Sequence, residues 1–347
     1  MQEIYFAIAQ GKQLLPEELK QLATAELADI QRAKAFNITP ETVEDIIIAR
    51  SQRFQSLLQQ NVNLPDIPNR LELLWKLWLP LAIQLSQDYQ ANGRPIVQGI
   101  LGGQGTGKTT LAQALTVILA SLGYRTLSLS IDDLYKTYAE REHLRQVDPR
   151  LIWRGPPGTH DVELGLQVLD RLCYPVAGEL VAIPRFDKSL SQGAGDRIES
   201  QTVTGIDIIL FEGWFVGCQP VEPTVFEAAP PPIVSEFDKR FAQDINSYLK
   251  NYIPLWQYLD RLIVLNPIDY RLSKQWRKQA EQEMIATGKS GMTDIEIEQF
   301  VDYFWKSLHP ELFILPLIEN PKVTDLVIDI NADHSVGNIY KPLDKGE

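Results

Sequence analysis

Eight consecutive residues narrow the choice of fold more than any other part of the chain. Gly102-Gly103-Gln104-Gly105-Thr106-Gly107-Lys108-Thr109 fits the pattern G-x-x-x-x-G-K-[ST] in full. The flanking sequence supplies the context that pattern demands. Pro95–Leu101 is a short apolar run that reads as a strand. Thr109–Leu122 carries Leu111, Leu115, Ile118, Leu119 and Leu122 at helical spacing, with Gly123 as a natural stop. The glycines let backbone N–H groups turn inward around phosphate oxygens, and the helix start adds the positive end of its dipole. Phosphate contacts are therefore expected from Gly102, Gly103, Gln104, Gly105, Thr106, Gly107, Lys108, Thr109 and Thr110. In such a turn Lys108 should reach the β- and γ-phosphates of ATP, and the Thr109 hydroxyl should ligate Mg2+.

Four further apolar runs, Thr126–Ile131, Ile206–Phe211, Arg261–Leu265 and Leu326–Ile330, read as strands covered on both faces. The expected architecture is α/β: a three-layer P-loop NTPase fold on a five-stranded parallel sheet, spanning residues 93–347, with an N-terminal helical segment over residues 1–92. In that segment Pro16 to Ile30 places Leu19, Leu22, Ala23, Leu27 and Ile30 on one face. Thr39-Pro40 should cap and open a second helix through about Gln60. A third helix should start near Arg70, carry Trp75 and Trp78, and be kinked or ended by Pro80. Gln219–Pro232, with five prolines, reads as an exposed loop. Thr293-x-x-Glu296 is a capping box that opens a helical stripe of Ile297, Phe300, Val301, Phe304 and Leu308, expected to be core.

Charge and composition exclude several classes. With 33 Lys+Arg against 45 Asp+Glu, the net charge of −12 argues against a nucleic-acid partner. It would also repel a nucleotide at long range, so the local field of the glycine-rich turn has to do the capture. No uncharged apolar run approaches the roughly 20 residues that span a bilayer, so no membrane partner is expected. Cys173 and Cys218 stand far apart without a CxxC, and the four histidines form no HExxH, which argues against a disulfide framework or zinc ribbon. The first residues lack a basic-then-apolar layout, and a cytoplasmic setting is expected.

Two acids complete the chemistry expected around the phosphates. Glu212 ends the strand Ile206–Phe211 with Gly213 leaving room beside it, and is the candidate magnesium carboxylate. Asp132, in Ser130-Ile131-Asp132-Asp133-Leu134-Tyr135, lies at the carboxyl end of the strand next to the phosphate loop. An acceptor hydroxyl must wait there, and Asp132 is expected to take its proton, with Asp133 the candidate for capping the turn. Asn266-Pro267-Ile268-Asp269 has the outer residues of a guanine-reading loop without its lysine, so guanine specificity is rejected.

The order of phosphate loop, S-x-D-D-x-Y and an apolar strand ending in Glu-Gly resembles the uridine kinase, pantothenate kinase and phosphoribulokinase group. Within that group, four segments resemble plant-type D-glycerate 3-kinases in the expected order. They are Arg154-Gly-Pro-Pro-Gly-Thr-His160-Asp161, Pro184-Arg185-Phe186-Asp187-Lys188-Ser189, Gly193-Ala-Gly-Asp196-Arg197 and Gln275-Trp276-Arg277-Lys278-Gln-Ala-Glu281. Phe186 in place of Tyr, Lys278 in place of Leu and the proline-rich insert depart from the family pattern. The resemblance implies ATP-dependent phosphorylation of D-glycerate to 3-phosphoglycerate. It implies substrate contacts from Arg154, His160, Asp161, Arg185, Asp187, Lys188 and Arg197. A small anionic acceptor calls for cations and few apolar surfaces, and a bidentate arginine suits a carboxylate best. Arg271, Lys274 and Lys278 fall at i, i+3 and i+7, beside Arg277. By resemblance they belong to a lid around residues 268–290, in which Arg277 is catalytic and Arg271 reaches the nucleotide. A related kinase acting on a nucleoside or pantothenate, or a P-loop switch protein with no small acceptor, remain as alternatives.

Overall fold

The computed structural model describes residues 1–286 and 291–343. The five expected strands are all present: β1 (Ile96–Gly102), β2 (Thr126–Ser130), β5 (Ile208–Gly213), β6 (Arg261–Pro267) and β7 (Leu326–Ile330). They pair in parallel, and a sixth strand, β8 (Val336–Tyr340), adds antiparallel to β7. The sheet therefore has six strands, in the order β2-β5-β1-β6-β7-β8, rather than the five expected. β8 is a half-exposed edge strand, Val-Gly-Asn-Ile-Tyr, with no continuous apolar run to announce it. A separate antiparallel hairpin, β3 (Val181–Asp187) with β4 (Asp196–Val203), also lies outside the sequence reading. Pro184 masks β3, and the pairing shifts register at that residue, where no N–H is available to the ladder.

All seven residues of β1 are buried because the strand is covered on both faces. Ile96 and Ile100 enter one core, together with Leu111, Leu115 and Ile118 of the helix Lys108–Ser121. Val97 and Leu101 enter the other, with Leu169, Ile245 and Trp256. The alternation of side chains along a strand divides one apolar run between two cores. Trp75, Leu77, Leu81 and Leu85 belong to the first core, so the N-terminal helices share it with the sheet.

Several helix boundaries differ from the sequence reading. The first expected helix ends at Ala28; Asp29 caps a short helix Ile30–Ala35, and Ile30 is exposed. An unforeseen helix, Gln2–Ala9, precedes them. The second starts at Val43, three residues past Pro40. Pro80 does not end the third helix. A π-helical turn, Leu74–Trp78, precedes it and absorbs the missing N–H, and the helix Leu79–Asn92 runs on. In the proline-rich stretch, the 3-10 turn Pro223–Ala228 buries Phe226 against Phe313, with ring centroids 6.4 Å apart, so that loop is anchored. The capping box at Thr293 and Glu296 is formed. A buried ion cluster ties the N-terminal helices together. Glu26 accepts from Arg32 at 2.8 Å, Arg50 at 3.0 Å and Trp75 Nε1 at 2.9 Å.

The chain leaves the carboxyl end of β1 toward β2 on one side and later fills β6 and β7 on the other. At such a reversal the strand ends splay and leave a crevice, which is where ligands enter open α/β sheets.

Candidate active site

The glycine-rich turn closes that crevice from below. Gly105 has φ +78° and Gly107 +86°, conformations that L side chains rarely adopt. Lys108 Nζ and Thr106 Oγ1 both donate to the Gly103 carbonyl at 2.9 Å, which holds the loop in a cradle. Gly102 and Thr106 are buried inside it, and Thr110 follows in the first turn of the helix. Burial lowers the pKa of Lys108 against the opposing pull of Glu212 and Asp132. Burial raises that of Glu212, against Lys108. Thr109 Oγ1 donates to the Glu212 carboxylate at 3.4 Å, so the hydroxyl and the acid converge across two elements. Their oxygens fit a hard divalent cation that takes its other ligands from phosphate and water. Among the described residues no group of three or more His, Cys, Asp or Glu could hold a metal ion by itself.

The two adjacent aspartates have separate environments. Asp133 accepts from the Ser130 N–H at 3.1 Å in a capping box and pairs with Arg185 at 2.7 Å. Asp132 lines the cleft, pairs with Lys188 Nζ at 2.6 Å and accepts from the Tyr135 phenol. Burial would raise the Asp132 pKa, but Lys188 and the phenol outweigh it and hold the carboxyl below its usual range.

The cleft encloses about 1010 Å3 and brings together Gly103, Gln104, Gly105, Lys108, Thr109, Asp132, Arg154, Lys188, Glu212, Arg271 and Arg277. Five expected substrate residues do not line it. His160 is buried, stacks on Tyr135 with centroids 4.5 Å apart and hydrogen-bonds Tyr252 through Nδ1 at 2.8 Å. Burial lowers its pKa to about 3, so it is neutral and props Tyr135 from behind. Asp161 caps the helix Val162–Cys173 and pairs with Arg197 at 2.9 Å. Arg197 also donates to the Tyr135 carbonyl at 2.8 Å, and both its contacts face the scaffold. Arg185 is held by Asp133 and Gln201. Asp187 accepts from Ser189 within its own turn. Arg185 and Arg197 stand on β3 and β4, and strand pairing fixes where they can reach.

The cleft is also more aromatic than a small anion alone requires. Trp153, Trp214, Phe300 and Phe304 line it, with Trp153–Phe300 centroids 5.3 Å apart and Trp214–Phe304 5.0 Å. Phe300 and Phe304 come from the stripe expected to be core; Ile297, Val301 and Leu308 of that stripe are buried.

Residues 268–286 form the described part of the expected lid, and 287–290 lie outside the described residues. The helix Leu272–Ala286 places Arg277 beside the cleft, over the Phe300 ring at 5.2 Å and paired with Glu281 at 2.8 Å. Lys274 and Lys278, on the same face, pair with Asp302, Asp294 and Glu298 of the helix Asp294–Ser307. Trp276 packs on Gly105, and its indole donates to the Ala332 carbonyl at 3.0 Å. His334 Nδ1, 2.9 Å from the Gly105 carbonyl, ties the β7–β8 turn to the same loop. Nothing in the sequence pattern singled out His334. Tyr135 and Trp276 stood inside quoted motifs without a role.

Comparison with protein-family models finds no match. The chain is 33% identical over 257 residues to the chloroplastic D-glycerate 3-kinase of Arabidopsis thaliana, covering 70% of this chain and 54% of that one. It thus spans about half the length of that plant relative. It is 32% identical over 263 residues to the uncharacterized kinase mug58 of Schizosaccharomyces pombe, covering 71% of this chain and 92% of the relative. Among solved structures, the D-glycerate 3-kinase of Cryptococcus neoformans var. grubii superposes with a TM-score of 0.67 at 28% identity, over 75% of this chain and 96% of that one. The chain belongs to the family of P-loop kinases that includes the D-glycerate 3-kinases.

Proposed function

We propose that the protein is an ATP-dependent kinase that transfers the γ-phosphate to the 3-hydroxyl of D-glycerate. The observation that carries this reading is one cleft holding a phosphate loop, a carboxylate base and several cations. Lys108, Asp132, Arg154 and Lys188 all line it. Arg154 donates to the Gly193 carbonyl at 2.7 Å through one nitrogen, and its fork is the best match for the acceptor carboxylate. Lys108 compensates charge at the transferring phosphate, and Arg277 does so from the lid side. Asp132 orients the acceptor hydroxyl in line with the γ-phosphorus and takes its proton. Thr109 and Glu212 would hold Mg2+, which supplies charge neutralisation on the phosphates when bound. A cytoplasmic setting fits Cys173 and Cys218, both free and buried. No helix of the described residues is long and apolar enough to cross a membrane.

The aromatic walls favour one competing reading, a nucleoside acceptor stacked between Trp153 and Trp214. ADP release by purified protein, measured without acceptor and with D-glycerate, glycerol, uridine or pantothenate, separates the readings. Turnover that depends on glycerate is expected. Turnover with uridine alone would transfer the assignment to the aromatic walls, and acceptor-independent turnover would favour a switch protein.

A further inference from the structure

Lys188 follows β3 directly, in the connection between β3 and β4, and its ammonium sits 2.6 Å from Asp132 Oδ2. The lysine side chain is 62% exposed, whereas Asp132 is 25% exposed. The same carboxylate accepts from the phenol of Tyr135, which is buried between the rings of His160 and Phe186, at 4.5 and 5.0 Å. Lys108, Glu212 and His160 supply the other charged or titratable groups around it.

A base must come within about 2.6–3.2 Å of the hydroxyl it deprotonates. Lys188 Nζ, 2.6 Å from Oδ2, occupies one of the sites at which that hydroxyl could meet Asp132, and the paired carboxylate is a weaker proton acceptor. Of the two groups beside the carboxylate, Lys188 is the freer to move. Tyr135 is wedged between rings, while Lys188 hangs on a flexible four-carbon stem in a turn. The group that draws an ammonium off a carboxylate is another anion. ATP brings its phosphates in every reaction, so what an acceptor with its own carboxylate adds is a further anion, which water and neutral polyols lack.

We infer that Lys188 masks Asp132 until an acceptor carrying its own carboxylate takes the ammonium, so that phosphoryl transfer is conditional on an anionic acceptor. This rests on the kinase reading above and adds a specificity device to it. Arg154 would anchor the acceptor, and Lys188 would couple that anchoring to exposure of the base. In each reaction the attacking oxygen bonds to the γ-phosphorus as the bond from that phosphorus to the β,γ-bridging oxygen breaks. ADP leaves with the electron pair, and the proton of the attacking oxygen goes to Asp132. With water as nucleophile the product is inorganic phosphate, the wasteful reaction that the mask suppresses.

The test measures three rates in the full chain and in Lys188→Met: ATP hydrolysis without acceptor, glycerol phosphorylation and D-glycerate phosphorylation. Melting curves check that both proteins are folded. In the variant, hydrolysis and glycerol turnover should rise about three- to tenfold, while kcat/KM for glycerate falls at least about 30-fold. Lys188→Arg keeps the charge on a different head group and should raise hydrolysis less than Lys188→Met does. Unchanged neutral rates with a loss confined to glycerate would overturn the mask and leave Lys188 a simple anchor. A uniform fall in all three rates would overturn it in favour of a structural role. Were the wild type indifferent to glycerate, the acceptor assignment would fail, and the hydrolysis ratio would still decide the role of Lys188.

Discussion

Asp132 and Asp133 are adjacent and chemically alike, and the turn after β2 sends one carboxylate to the cleft and the other to Ser130 and Arg185. Asp132→Asn keeps the shape and removes the base, so kcat should fall roughly 10²–10⁴-fold with ATP affinity little changed. Asp133→Asn should instead lower stability by roughly 1–3 kcal/mol through the lost Arg185 contact and leave kcat within a few-fold. Steady-state kinetics and urea denaturation of the two variants check both; exchanged phenotypes would mean the roles are reversed. Asp133, the sequence candidate for capping the turn, does form a capping box with Ser130, whereas the choice of Asp132 as base was left open by the sequence. The roles of Arg185, Arg197, His160 and Asp161 were not readable there. Their partners, Asp133, the Tyr135 carbonyl and Tyr252, are distant in sequence or on the backbone, and motif spacing carries no information about which way a side chain faces.

At the level of elements, the strands with continuous apolar runs were legible and the more polar half-exposed strands were not. β2 was read too, though it is an edge strand with Leu127 and Leu129 buried and Ser128 exposed rather than covered on both faces. β1, β5, β6 and β7 announce themselves because both faces are covered, whereas β4 and β8 carry polar residues on the solvent side. The same limit hid the bracing of the phosphate loop. Trp276 from the helix Leu272–Ala286 and His334 from the β7–β8 turn meet at Gly105, which couples three elements that are separate in sequence. A Cβ on Gly105 would sit 2.8 Å from Trp276 Cβ, at a φ of +78°. Gly105→Ala should therefore weaken ATP binding about five- to thirtyfold, since the strain of roughly 1–2 kcal/mol falls on the phosphate cradle. Titration calorimetry with ATP measures it. Wild-type affinity would show that the loop and lid move independently.

Across the whole molecule, stability should fall on mild acidification for an identifiable reason. His160 is neutral in the fold, with its pKa lowered by burial from 6.5 to about 3, and burial lowers His309 as well. Between those values the unfolded chain binds a proton that the folded chain refuses, so stability present above about pH 6.5 is lost as pH falls toward 3. Well inside that window His160 adds a slope of about 1.4 kcal/mol per pH unit. Urea denaturation between pH 7 and 5 should show a shallower slope in His160→Phe than in the wild type; equal slopes would place the acid sensitivity elsewhere. The central claim, that the γ-phosphate ends on the terminal oxygen of glycerate, is tested most directly by proton-coupled 31P spectra of a reaction with ATP and D-glycerate. A new phosphomonoester split into a triplet by the two protons of a CH2 group, growing as ADP grows, is the expected result. A doublet would put the phosphate on the CH oxygen at position 2, and inorganic phosphate alone would contradict the kinase assignment.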